Sequence, residues 1–182
     1  MPALPPVHAQ TYSDLAAMSV LSRLDPMDHL EAEMTRGCRV SHLAIFADWH
    51  AMEPARVVSL VLCTGHEAAP TPFALLGLSL KGEAGVAQAA LLSRDHAKFS
   101  RALIAACLLI RQKMPEFCKE HGIRRIEARS WAGHPRAARF LTSSGFRFET
   151  SMAGFGPDGT AEFRQFAWTD FDTATPEGNE NV

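Results

Sequence analysis

Between Ile123 and Phe148 the chain reads IRRIEARSWAGHPRAARFLTSSGFRF. A β-prone run ends at a Trp-Ala-Gly break, a compact helix follows, and Gly145-Phe146 turns the backbone into another strand. A helix this short gains little stability alone, so it must lie on the sheet that its flanking strands join. The unit strand, turn, helix, Gly, strand therefore commits this half of the chain to a layered α and β architecture.

Upstream, the Pro-rich residues 1–11 read as a flexible lead. From Tyr12 the pattern is helical: Ser13 or Asp14 can cap, and Leu15, Met18, Val20, Leu21 and Leu24 form an apolar stripe. A second helix starts at Asp25-Pro26, where Asp accepts from free N–H groups and Pro at the first helical position loses nothing; Asp28 favours the helix dipole and Gly37 ends it. Four strand-like segments follow, Arg39–Trp49, Arg56–Cys63, Pro72–Leu80 and Gly85–Ser93, with connections short enough to predict an antiparallel meander. Lys98–His121 is a long amphipathic helix that Pro115 should kink or break. The strand Ile123–Trp131, the helix His134–Ser144, and the strands Phe146–Ala153 and Ala161–Thr169 around a Pro-Asp-Gly turn complete one domain over residues 12–169. Residues 170–182 read as an acidic, disordered tail.

The formal net charge of −2 supplies no global basic field for nucleic acid or an anionic membrane. The apolar runs are too short to span a bilayer, and MPALPPVHAQ lacks the features of a signal peptide, so a cytoplasmic protein is expected. Cys38, Cys63, Cys107 and Cys118 lack C-x-x-C spacing and read as free thiols. The histidines at 8, 29, 42, 50, 66, 96, 121 and 134 share no ligand spacing on one element, so no metal is expected.

The unit at 123–148 resembles the C-terminal half of the GCN5-related N-acetyltransferase (GNAT) superfamily, whose pattern is close to N-x-x-A-x-x-L-Y-x-x-x-G-F. His134 stands at the Asn, Ala137 at the Ala, Phe140-Leu141 at the L-Y pair and Gly145-Phe146 at the G-F. The resemblance implies an α+β fold in α/β/α layers: a mixed, mostly antiparallel sheet of six to seven strands, flanked by helices, after two short N-terminal helices. It also implies an acetyl-CoA site in the loop before the long helix, where active members carry Q/R-x-x-G-x-G/A.

The matching residues here are Arg94, Asp95, His96, Ala97, Lys98 and Phe99, followed by Ser100. Arg94 fits, Ala97 departs mildly, and Phe99 replaces a glycine whose missing side chain leaves room for phosphate. Asp95 adds an unfavourable charge beside that seat, costing ~1 kcal/mol or more. Leu141 has no proton for a leaving thiolate, and the strand GVAQAALLS has no carboxylate to serve as base. Glu83, Glu127 and His134 are the candidate catalytic residues if activity survives; as structural residues they are a turn carboxylate, a surface carboxylate and a helix-entry His.

A closer likeness runs through RLDPMDHLEAEMTRG, GLSLKGEAGVAQAALLS, KFSRALIAACLLIRQKMPEF and FRQFAW. Together they resemble degenerate GNAT-like proteins of phage virions, including internal core proteins. The main expectation is thus a catalytically silent structural or interaction component of a phage-like particle, without cofactor, whose partners are virion proteins or its own copies. The alternative is an acetyl-CoA-dependent N-acetyltransferase using Arg94 and the N–H groups of His96–Ser100. In the silent reading, the edges Gln88–Leu92 and Arg125–Arg129 flank an empty cofactor cleft, closed by side chains, with Trp131 and Phe99 as plugs, or by a partner segment.

Overall fold

The computed structural model describes residues 3–66 and 68–170. Seven strands form one sheet in the order β1-β2-β3-β4-β5-β7-β6. They are β1 (Val7–Thr11), β2 (Arg56–Thr64), β3 (Thr71–Leu80), β4 (Val86–Ser93), β5 (Arg125–Trp131), β6 (Arg147–Phe155) and β7 (Ala161–Thr169). Every pairing is antiparallel except β4 with β5. The expected mixed sheet of six to seven strands is present.

Two expectations for the N-terminal half are corrected. Residues 7–11 of the supposed flexible lead are β1, paired with β2 from Val7↔Thr64 to Thr11↔Leu60. The segment Arg39–Trp49, expected as a strand, is instead taken up largely by helix α3 (His42–Ala51), which runs past its end, so three helices precede the meander rather than two. Ser41 decides the matter: its side chain accepts from Ala44 N–H and caps the first turn. Ile45 and Trp49, one turn apart, then pack against Ala17, Val20 and Leu21 of α1 (Asp14–Leu21) and Val61 and Leu75 of the sheet. Burial of that periodic face outweighs the β-propensity of Val40, Ile45 and Phe46.

α2 (Pro26–Arg36) is capped by Asp25 and ends at Gly37, whose φ of 67° is left-handed. α4 (Ser100–Glu120) accommodates Pro115 inside it and buries Met114 and Cys118 with Ile126, Ala128, Phe146 and Trp168. α5 (Ala137–Ser143) begins later than expected: its N-cap is Arg136, and His134 lies in the turn before it, where its Nδ1 accepts the N–H groups of Arg136 and Ala137. All four cysteines are free thiols. Among the described residues, no helix is long and apolar enough to cross a membrane. The expected tail at 170–182 lies, apart from Asp170, outside the described residues.

Gly145 leaves α5 with φ at 100°, a conformation that side-chain-bearing residues avoid. An added Cβ would meet only ordinary contacts, 3.7 Å from Trp168 at closest, so backbone strain is the main cost of substitution. Gly145→Val is expected to lower stability by about 1–3 kcal/mol in urea unfolding. An unchanged midpoint would contradict this account of the turn.

Candidate functional site

β4 and β5 are hydrogen-bonded only from Val86↔Arg125 to Gln88↔Glu127. Beyond that point Ala89–Ser93 and Ala128–Trp131 separate, and two backbone edges inside the sheet need other partners. At the open end of the split, an acidic row at helical spacing, the α2 N-cap Asp25 with Asp28 and Glu31 of α2, supplies such partners.

Asp25 Oδ1 accepts Met27 N–H at 2.9 Å and so caps its own helix. Its Oδ2 accepts His96 N–H at 2.7 Å, and its backbone N–H donates to Ser93 O at 2.9 Å. Leu24 forms an antiparallel bridge with Arg94, extending the contact along the β4 side. One turn on, Asp28 Oδ2 accepts Ser93 N–H at 2.7 Å and the Ser93 hydroxyl at 3.2 Å. Asp28 Oδ1 faces His134 Nε2 and His96 Nε2, each at 3.0 Å. A further turn on, the Trp131 backbone N–H on the β5 side lies close enough to the Glu31 carboxyl to oppose the rise of its pKa. One helix face thereby stitches both sides of the split.

The cluster is buried: Asp25, Asp28, His96 and His134 are each at most 9 % exposed. Burial would raise the Asp28 pKa, but hydrogen bonds from His134, His96 and Ser93 outweigh it and hold the carboxylate below its usual range. Glu31 has weaker support. Burial pushes its pKa up to about 7, Asp28 adds to the rise, and His134 and the Trp131 N–H only partly oppose it. His134 Nδ1 accepts Arg136 N–H at 3.2 Å and Ala137 N–H at 3.0 Å, so the proton sits on Nε2 and is donated to Asp28.

Asp28, His96 and His134 place ligand-type atoms within 4.8 Å of one another. Sequence spacing hid this grouping because the three residues come from α2, the loop after β4 and the turn after β5. Metal ligation through His134 Nε2 would require a proton on Nδ1, where two N–H groups already donate. The hydrogen bonds therefore favour a polar latch.

The loop expected to cradle pyrophosphate is occupied from within. His96 N–H is taken by Asp25, Lys98 N–H by Asp95 Oδ1 at 3.0 Å, and Phe99 N–H by Asp95 O at 3.0 Å. Asp95, with φ at 26°, thus places its own carboxylate in the turn that precedes α4. Arg94 turns into the scaffold, donating to Pro72 O at 2.7 Å, and the Ser100 hydroxyl donates to Ala97 O at 3.1 Å. Ala97 and Lys98 are exposed.

Phe99 does not fill the phosphate seat, contrary to expectation: its ring is buried and stacked on Phe73 at 5.7 Å between centroids. Trp131 is not the plug either. It is half-buried in the wall of a separate cavity with Met34, Gly133 and Pro157. Of the candidate catalytic residues, Glu83 is exposed in the β3–β4 turn, at the far end of β4 from Ser93. Glu127 accepts from Lys81 and Arg125, each at 2.8 Å, which lower its pKa and make it a weak base. Only His134 joins the cluster. Leu141 packs beside the core as an apolar residue.

Glu31 gives the latch a pH signature. With a folded pKa of about 7 against the usual 4.5, its stabilising protonated form is complete below pH 4.5 and lost as pH rises through 7. Glu31→Gln is therefore expected to raise stability at pH 8 by about 1–2 kcal/mol and to change little near pH 4.5, as read by thermal melts. An equal effect at both pH values would contradict this assignment.

No protein-family model and no curated protein matches the sequence. Solved structures do match in fold. A GNAT-family acetyltransferase from Bacillus anthracis is 12% identical with a TM-score of 0.66, covering 93% of this chain and 98% of that one. The ribosomal-protein-S18-alanine N-acetyltransferase from Escherichia coli is 12% identical with a TM-score of 0.61, covering 97% and 99%. The Salmonella typhimurium protein yncA, solved with its cofactor acetyl-CoA, is 10% identical with a TM-score of 0.57, covering 94% and 98%. Its sheet order, the split between β4 and β5 and these likenesses together identify the fold of this chain as that of the GNAT acetyltransferases.

Proposed function

We propose that this chain is a catalytically silent GNAT-fold protein that serves as a structural or interaction component. The observation that carries this reading is the internal occupation of the cofactor's anchoring groups. N–H groups of Ser93, His96 and Lys98 each hold a carboxylate of the chain itself. An incoming pyrophosphate would have to displace the buried Asp25 and Asp28 carboxylates, already satisfied by hydrogen bonds, at a cost of several kcal/mol. The candidate acid–base groups are poorly placed as well: Leu141 has no proton to give, Glu127 is paired with Lys81 and Arg125, and both ring nitrogens of His134 are engaged within the chain. The sequence resemblance to degenerate GNAT-like virion proteins supports a phage-like particle as the place of this role in our reading, with incorporation following synthesis in the cytoplasm, and virion proteins or further copies of the chain as the proposed partners.

The second reading is an acetyl-CoA-dependent N-acetyltransferase acting on a small or protein amine. It is favoured by the retained split between β4 and β5 and by the fold likeness to acetyltransferases, one of them holding acetyl-CoA. At the end of the split, Asp28 and Asp25 already hold the Ser93 and His96 N–H groups, so the cofactor would have to displace them first.

Calorimetric titration of the full chain with acetyl-CoA separates the two. No saturable heat is expected at ligand concentrations up to about 1 mM. Saturable binding with Kd near 10 μM or tighter, accompanied by a rise in Tm, would overturn the silent reading in favour of the second.

A further inference from the structure

We infer that β1 is a pairing edge for a second copy of this chain, joining two sheets across a two-fold axis at Ala9. The inference concerns a different surface from the split strands and holds whether or not that split binds a cofactor. β1 and β6 are the outer strands of the sheet. β6 is protected: its pairing with β7 shifts register between Phe148 and Thr150 and again between Met152 and Phe155, and it carries Arg147 and Glu149. β1, with the sequence VHAQT, has no register shift, no Lys, Arg, Asp or Glu, and no Pro or Gly within it.

The outward-facing row of β1 can be read from its register. Tyr12 N–H donates to Ser59 O at 3.2 Å, directly after the partners Thr11↔Leu60. In an antiparallel ladder, hydrogen-bonded residues alternate, so Gln10 and His8 bond inward to β2 while Val7, Ala9 and Thr11 direct N–H and C=O to the open edge. That row is self-complementary about Ala9. A second copy in antiparallel register pairs Ala9 with Ala9 and Val7 with Thr11 in both directions, giving about six backbone hydrogen bonds. Pro5 and Pro6 stop the strand before Val7 and so limit slippage to other registers.

The neighbouring helix adds apolar surface. Ile104 and Leu108, one turn apart on α4, are 52% and 51% exposed, and Leu4 is 40% exposed. Leu4, Val7, Ala105, Leu108 and Leu109 line a shallow groove of about 270 Å³ between the β1 segment and α4. A two-fold axis normal to the sheet keeps both α4 helices on the same face and makes them antiparallel. Their exposed apolar rows then lie beside the joined strands, where strand pairing alone would fall short of the ~800 Å² per partner that stable interfaces bury.

Sedimentation velocity of the full chain over a concentration series, combined with residue-resolved amide exchange, tests this. A dimer is expected, with Val7, Ala9 and Thr11 amides slowing as it forms, while His8 and Gln10 amides are protected at every concentration. Ala9→Pro removes an outward N–H and leaves the inward bonds to β2, so it should weaken the dimer at least tenfold with an unchanged circular dichroism spectrum. Leu108→Glu, at an exposed position, should weaken it independently. A single-chain mass at concentrations up to about 100 μM would overturn the inference. So would a dimer in which the three outward amides exchange freely, or one that neither variant weakens.

Discussion

The Asp28 carboxylate lies between two strands that have stopped pairing with each other. On one side it accepts the N–H and hydroxyl of Ser93 at the end of β4, and on the other it receives the proton of His134 just after β5. His96 approaches the same oxygen at 3.0 Å. A buried anion with this many donors is stable only because all of them converge on it; removal of any one would leave a polar group unsatisfied in a low-dielectric interior. The position of α2, the direction of the loop into α4 and the start of α5 are all tied to that carboxylate.

The dependence extends from packing to function. A split between parallel strands offers backbone donors to whatever enters it. In this chain the entrant is an acidic helix face: Asp25 and Asp28 serve the β4 side and Glu31 the β5 side. Asp95 closes the remaining turn by accepting Lys98 N–H. Carboxylates of the chain itself thus stand at backbone groups of a kind suited to phosphate.

Much of this fold was legible in the sequence because its signals are local. The unit at 123–148, the β2–β3–β4 meander and the Asp25-Pro26 helix start rest on turn residues, caps and periodicity, and the structure contains each of them. Beyond residues 7–11, where the strand is set by pairing with β2 that no local signal announces, the failures are of two physical kinds. At Arg39–Trp49, β-prone residues masked a helix set by the Ser41 cap and the buried pair Ile45 and Trp49. At the site, side-chain direction was the missing information. Phe99 was expected to block an anion seat by bulk, yet it turns inward onto Phe73, while the N–H groups of the loop are held by the carboxylates of Asp25 and Asp95. Asp25, Asp28 and Glu31 are visibly spaced for one helix face, but only tertiary structure shows what that face meets. His96 and His134 likewise come together only through packing, at 5.4 Å between ring centroids.

The most direct measurement of the latch is residue-resolved hydrogen exchange at Ser93, His96 and Trp131, with and without acetyl-CoA. If α2 holds these groups, their amides exchange only through opening events close to global unfolding, and saturating cofactor leaves their rates unchanged. Rapid exchange of the three in the free protein, followed by protection when acetyl-CoA is added, would show an open cofactor site and contradict the account.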